Sequence, residues 1–243
     1  MNILAIDAGN SRVKWGYARD RDWIRVSVLA TREAARIGEG LSGLPPPQRI
    51  VVSNVAGPTV ADAIAAALTP LGTVPRWIRS GAQQCGVRSS YDDPAQLGPD
   101  RWAALIGAWQ LYGGPSIVAS AGTTLTVDAL SADGVFLGGC IVPGIELMRA
   151  ALAQNTARLT RADGIYTYFP DRTADAIMSG IINALAGAIE RMVAFMAGTG
   201  EADATIVLSG GDAGVLAPRL NGRIEVVDNL VLEGLACIAL EAG

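Results

Sequence analysis

Two short stretches hold residue types and spacings that could do chemistry. Asp7 ends the apolar run ILAID (3–7) and opens a turn through Ala8, Gly9, Asn10 and Ser11, followed by Arg12, Val13 and Lys14. Glycine lets a backbone approach a ligand closely, small amide and hydroxyl side chains donate without bulk, and lysine adds a point charge. Such a turn suits an anion or a metal-bound phosphate, with Lys14 toward phosphate oxygens and Asp7 toward Mg2+, directly or through water. The tip of a solvated hairpin would use the same residues, so taken alone this stretch leaves both readings open. The second stretch, SAGTTLTVD (120–128), repeats the pattern with Ser120, Gly122 and Thr123.

Two further stretches compete for the site. In YDDPAQLGPDRWAALIGAW (91–109) helical periodicity begins near Gly98 and runs through Trp102, Leu105, Ile106 and Trp109, so Pro99, Asp100 and Arg101 open a helix. An acid in a first turn offsets the helix dipole, and on an ordinary helix that would be its whole role. The chain, however, has no histidine. That removes Ser-His-Asp and Cys-His hydrolases and histidine zinc sites, and a base must be sought among the carboxylates. LSGGDAG (208–214) is a strand followed by paired glycines, either a plain turn or a flat surface for an adenine ring.

Composition narrows the class. Of 243 residues, 50% are hydrophobic and 17% charged, which fits a folded protein with a sizeable core. A net charge of −4 without a basic run argues against nucleic acid or anionic lipid as partner. No uninterrupted apolar run reaches transmembrane length, and Met1 leads straight into a strand rather than a basic leader, so a cytoplasmic protein without membrane contact is expected. Cys85, Cys140 and Cys237 are too few and too scattered for a disulfide framework or a thiolate metal site. Cys140 and Cys237 read as core, and Cys85 lies in a polar loop where it could be exposed, with nothing nearby to activate its thiol.

The elements that must position these residues alternate. Strands are expected at 3–7, 13–18, 24–30, 50–56, 116–121, 125–130, 135–142 and 205–210, and helices at 58–69, 98–112, 144–155, 172–197 and 229–241. GLPPPQ (43–48) reads as a stiff connector. The pattern is that of an α/β fold. Shifting the chain by 113 residues lays AIDAGNS (5–11) over VASAGTT (118–124), which pairs Asp7 with Ser120 and Gly9 with Gly122. The repeat suggests a duplicated unit of about 115 residues, with boundaries at 1–113 and 114–243, and two turns facing one cleft. Ile177, Ile181, Ile182, Leu185, Ile189, Met192, Val193 and Met196 form a packing stripe on a long helix that could also serve a subunit interface.

On these motifs the chain resembles the type III pantothenate kinases, of the acetate/sugar-kinase and actin-like ATPase superfamily, over nearly its whole length. DAGNSRVK matches that family's DxGN(S/T)xxK in every fixed position, GPDR (98–101) matches GxDR, and SAGTTLTVD corresponds to DxGTAxTxD. GGCIVPGI (138–145) and FPDRTADAIMSG (169–180) match two further segments. The resemblance implies two ribonuclease-H-like subdomains and ATP-dependent phosphorylation of pantothenate, with Asp100 as general base. It further implies that Asp7, Ala8, Gly9, Asn10, Ser11, Arg12, Val13, Lys14 and Thr123 handle phosphates and Mg2+. Tyr91, Gly98, Pro99, Asp100, Arg101 and Thr173 would contact pantothenate, with Thr173 reaching across a homodimer interface. The family commonly has Asp where this chain has Ser120, and that Asp is associated with a bound K+ or NH4+. Here other oxygens hold the cation, a basic side chain replaces it, or the dependence is lost. The rival readings are another small-molecule kinase of the superfamily, or a non-catalytic relative acting as a transcriptional accessory factor. Retention of Asp7, Asn10, Lys14, Asp100, Arg101 and Thr123 favours an enzyme.

Overall fold

The structure, a computed structural model, describes residues 1–156, 159 and 163–241. Its chain divides into two units, one comprising Met1–Gly113, Gly134–Phe136 and the segment from Asn229, the other Gly114–Asp133 and Leu137–Asp228.

The first unit is built on β1 (Asn2–Ala8), β2 (Arg12–Arg19), β3 (Asp22–Ala30), β4 (Arg49–Asn54) and β5 (Pro75–Trp77), in the order β3-β2-β1-β4-β5. β1 is antiparallel to β2 and parallel to β4, which is parallel to β5. Alternate residues of each strand feed one core: Leu4, Ile6, Val13, Trp15, Tyr17, Ile50 and Val52 pack under a 3-10 helix (Thr31–Leu41) and α1 (Pro58–Leu68). The opposite face carries Ala5, Asp7, Lys14, Gly16, Val51 and Ser53. Two two- or three-residue strands, β6 (Gln83–Gln84) and β7 (Val87–Ser89), and helix α2 (Pro99–Tyr112) complete the run to Gly113.

The second unit repeats the plan. β8 (Ser116–Ala121), β9 (Thr124–Leu130) and β10 (Val135–Pro143) are followed by α3 (Ile145–Asn155), α4 (Thr173–Gly198), β11 (Thr205–Ser209), α5 (Ala213–Leu216) and β12 (Ile224–Val226). β8 is antiparallel to β9 and parallel to β11, which is parallel to β12, the same relations that link β1, β2, β4 and β5. This topology is the duplication expected from the sequence. Helix α4 is long and apolar enough in composition to cross a membrane, but Ile181, Ile182, Leu185, Ile189 and Met196 pack into this unit's core. The first two residues of β10, Val135 and Phe136, belong to the first unit, where they pair with Arg88 and Ser89 of β7.

The last helix, α6 (Leu230–Glu241), corrects the expected boundary: the sequence reading put it in the second half, and it packs in the first unit. Leu230, Leu232, Leu235, Ala236, Cys237, Ile238 and Ala239 are all buried, so this helix needs cover on nearly every side. α2 supplies part of it through glycines. A Cβ at Gly234 would lie 1.8 Å from the Ala103 carbonyl oxygen, and one at Gly107 would lie 2.4 Å from the Leu230 carbonyl oxygen. Gly234→Ala must push two backbones apart, and it is expected to cost about 2–3 kcal/mol in urea unfolding, the upper range of overpacking. A cost below about 0.5 kcal/mol would contradict this packing.

Candidate active site

The first unit gathers one charged cluster. Lys14 of β2 and Ser53 of β4 are both ladder partners of Asp7 on β1, so the three form a row across adjacent strands. The hairpin turn between β1 and β2 is closed by Gly9 N–H donating to the Arg12 carbonyl at 3.0 Å, with Asn10, Ser11 and Arg12 exposed at its tip. Asp7 is half-buried and its Oδ1 is fully enclosed. Burial first, and then the charge of Asp100, push its carboxyl up to about 7, against the opposing pull of Lys14 and the Ser53 hydroxyl. Asp100, from the first turn of α2, therefore lies near enough for its charge to act on Asp7.

Local sequence fixes Asp100. Gly98 caps α2, Pro99 takes the first helical position, and Asp100 Oδ1 accepts the Arg101 N–H at 2.9 Å. A Cβ at Gly98 would lie 2.5 Å from that oxygen, so the folded-back carboxylate occupies the space that glycine leaves. The buried Ser80 hydroxyl donates to the Leu97 carbonyl at 2.7 Å, which ties the preceding loop down. Arg101 is only 8% exposed, with its guanidinium 5.8 Å from the Phe136 ring centre, and Tyr91 packs on the same ring at 5.0 Å. A cavity of about 420 Å3 adjoins this helix start, lined by Asn54, Trp77, Arg79, Ser80, Leu97 and Pro99 among others.

The expected residues of the first unit, Asp7 through Lys14, Tyr91 and Gly98 through Arg101, thus share one unit. Ser120, Thr123 and Thr173 belong to the second. Thr123 is exposed in the β8–β9 turn, which is one residue shorter than the β1–β2 turn, and Thr173 is the exposed first residue of α4. Ser120 stands between Thr126 and Ser209 in the ladder, a row of hydroxyls where the first unit has Lys14, Asp7 and Ser53. Gly210 has φ +99 and abuts the Ala121 backbone, so the paired glycines after β11 make a close turn against the end of β8.

Sequence reasoning missed Ser53 and Phe136. Ser53 is a polar residue next to the last of a buried strand, as Asp7 is, and that is the available signal. Cys85 is also corrected: it is buried, its thiol donates to Glu241 Oε2 at 3.2 Å, and burial, more than that carboxylate, pushes it up to about 12. It is no nucleophile at neutral pH. Among the described residues no group of three or more His, Cys, Asp or Glu side chains is arranged to hold a metal ion.

The cluster holds carboxylates, a lysine and a buried arginine beside a polar turn, a set suited to moving a phosphoryl group without histidine. Solved structures of similar fold include a conserved Campylobacter jejuni protein assigned to the Baf family of transcriptional activators, 21% identical with TM-score 0.66 over 98% of both chains. Another is the activator of 2-hydroxyisocaproyl-CoA dehydratase from Clostridium difficile with bound ADPNP, 14% identical with TM-score 0.56 over 100% of this chain and 94% of that one. These likenesses establish the actin-like, duplicated ribonuclease-H-like fold. Closer in sequence are the type III pantothenate kinases of Aromatoleum aromaticum, 51% identical over 98% of both chains, and Nitrosospira multiformis, 46% identical over 98% of this chain and 91% of that one. The family model for type III pantothenate kinase matches residues 3–194. The chain belongs to the type III pantothenate kinase family.

Proposed function

We propose that this chain transfers the γ-phosphoryl group of ATP to the primary hydroxyl of pantothenate in the cytoplasm, giving 4′-phosphopantothenate, the first step toward coenzyme A. The observation that carries the reading is the convergence of Asp7, Lys14, Asp100 and Arg101 within one unit of a histidine-free chain. Phosphoryl transfer asks for positioning and charge neutralisation more than for covalent chemistry, and this set supplies both.

Each residue then has a task. Asp100 accepts the hydroxyl proton as the oxygen attacks the γ-phosphorus in line, its carboxylate held in orientation by the Arg101 N–H. Lys14 and the backbone from Ala8 to Val13 hold the phosphates. The enclosed, unpartnered Oδ1 of Asp7 fits a hydrated divalent cation, so Asp7 would hold Mg2+. When bound with ATP, Mg2+ neutralises charge on the phosphate oxygens. Along the Thr126–Ser120–Ser209 row a K+ or NH4+ ion would meet neutral oxygens only.

Arg101, backed by Phe136 and Tyr91, holds the pantothenate carboxylate. A planar fork makes two parallel hydrogen bonds that a lysine cannot reproduce. Arg101→Lys is expected to raise the KM for pantothenate roughly 10- to 100-fold while changing kcat less than KM, as steady-state kinetics would measure. An unchanged KM would remove Arg101 from the acceptor site. The acting form in this reading is a homodimer, with Thr173 reaching the partner's site. Ile165, Tyr168 and Phe169 stand exposed just before Thr173, which supports an interface there, and a monomer by sedimentation would oppose it.

The test is ADP release from the purified chain with pantothenate, sugars and acetate as acceptors, with and without K+ or NH4+. Turnover of pantothenate alone is expected. Turnover of a sugar but not pantothenate would replace this reading with another kinase of the fold.

A further inference from the structure

Ser53 has no part in the roles above. It is fully buried near the end of β4, and its Oγ lies near enough to the Asp7 carboxyl to pull it down without closing a hydrogen bond to it or to any other group. Five buried side-chain polar atoms among the described residues lack a partner, and two of them, Asp7 Oδ1 and Ser53 Oγ, belong to directly paired residues of adjacent strands. Both lie on the sheet face away from the apolar core, in the row that continues to Lys14.

A hydroxyl buried without a partner costs stability, and an alanine of nearly the same shape would remove that cost. A serine at this position points to a ligand that satisfies it. The ligand must also suit a carboxylate oxygen, which accepts only, beside a lysine placed for anions. A divalent cation that keeps several of its waters brings polarised O–H donors to both oxygens at once. The second unit supplies a comparison. Ser209 occupies the matching ladder position beside Ser120, so a hydroxyl stands there in both units, but only the first row has a carboxylate to attract a dication.

The geometry points to Ser53 as a second protein anchor for the hydration shell of the divalent cation that Asp7 receives, an inference that rests on the phosphoryl-transfer reading above. The cation brings its own waters, so this site needs two protein oxygens rather than a full ring of ligands.

The test is Mn2+ binding to the full chain, followed by electron paramagnetic resonance with a non-hydrolysable ATP analogue present, together with melting temperature in metal-free buffer. Ser53→Ala is expected to weaken Mn2+ binding roughly three- to tenfold, the worth of one hydrogen bond. Its metal-free melting temperature should be unchanged or higher, and Ser53→Thr, which keeps the hydroxyl, should restore most of the affinity. Ser53→Ala with wild-type Mn2+ affinity would overturn the inference, whatever its melting temperature. If Asp7→Asn loses Mn2+ binding while Ser53→Ala keeps it, this inference alone fails. If Asp7→Asn also binds as wild type, the role given to Asp7 fails with it.

Discussion

Replacing Asp100 by Asn is expected to lower kcat by a factor on the order of 10²–10⁴, the usual worth of a positioned base. The substitution is nearly isosteric. An asparagine oxygen can still accept the Arg101 N–H that now binds Asp100 Oδ1, and Gly98 still leaves room for the folded-back side chain. Melting temperature and the KM for pantothenate should therefore change little, and the loss should fall on the proton transfer. A second effect follows from the cluster's electrostatics. Asp100 is the like charge that helps push Asp7 up, so its neutralisation should ease ionisation of Asp7. A variant with kcat within threefold of wild type would take the base role from Asp100.

Asp7→Asn is expected to lower turnover steeply while making the metal-free protein more stable at alkaline pH. Loss of the carboxylate should lower kcat by at least about 100-fold, comparable to losing one well-placed electrostatic group. The stability gain follows from linkage. The Asp7 carboxyl rises from 3.8 to about 7 on folding. Between those values the folded chain holds a proton that the unfolded chain has released, so stability falls as pH rises through that window and is level above it. Asn does not titrate, so the variant escapes that loss. Discounted for the residue's partial exposure and its contact with Lys14, the gain is on the order of 1–3 kcal/mol at pH 8 and vanishes toward pH 4. Urea unfolding at the two pH values measures it. A variant less stable than wild type at pH 8 would mean that Lys14 and Ser53 outweigh the burial of Asp7. The same proton competes with a cation, so divalent affinity of the wild type should weaken below about pH 7.

The row that carries these effects was half legible in the sequence. Asp7 and Lys14 lie on either side of a tight turn, so a strand's two-residue alternation places them opposite each other without knowledge of the rest of the fold. Ser53 meets Asp7 only through a parallel pairing that crosses more than forty residues, and nothing local encodes that register. Phe136 likewise reaches Arg101 from a distant part of the chain, without a local signal. The repeat was visible because both units begin with an apolar strand and a glycine turn, yet the one-residue-shorter second turn moves its later positions out of step. Thr126, not the residue 113 positions beyond Lys14, faces Ser120. The last helix was misplaced because its sequence shows that it must be buried but not against what. The close approach of Gly234 to Ala103 answers that only in three dimensions. The strands β5, β6, β7 and β12, two or three residues each, are too short to show a period.

The central claim is that this cluster phosphorylates pantothenate, and product identity tests it most directly. The purified chain, ATP, Mg2+ and pantothenate are incubated together and followed by phosphorus NMR and mass spectrometry. The account predicts ADP and 4′-phosphopantothenate in equal amounts, with the initial rate of product formation at least about 100-fold lower in the Asp100→Asn sample. Pantothenate recovered unchanged from a chain that binds ATP would contradict it.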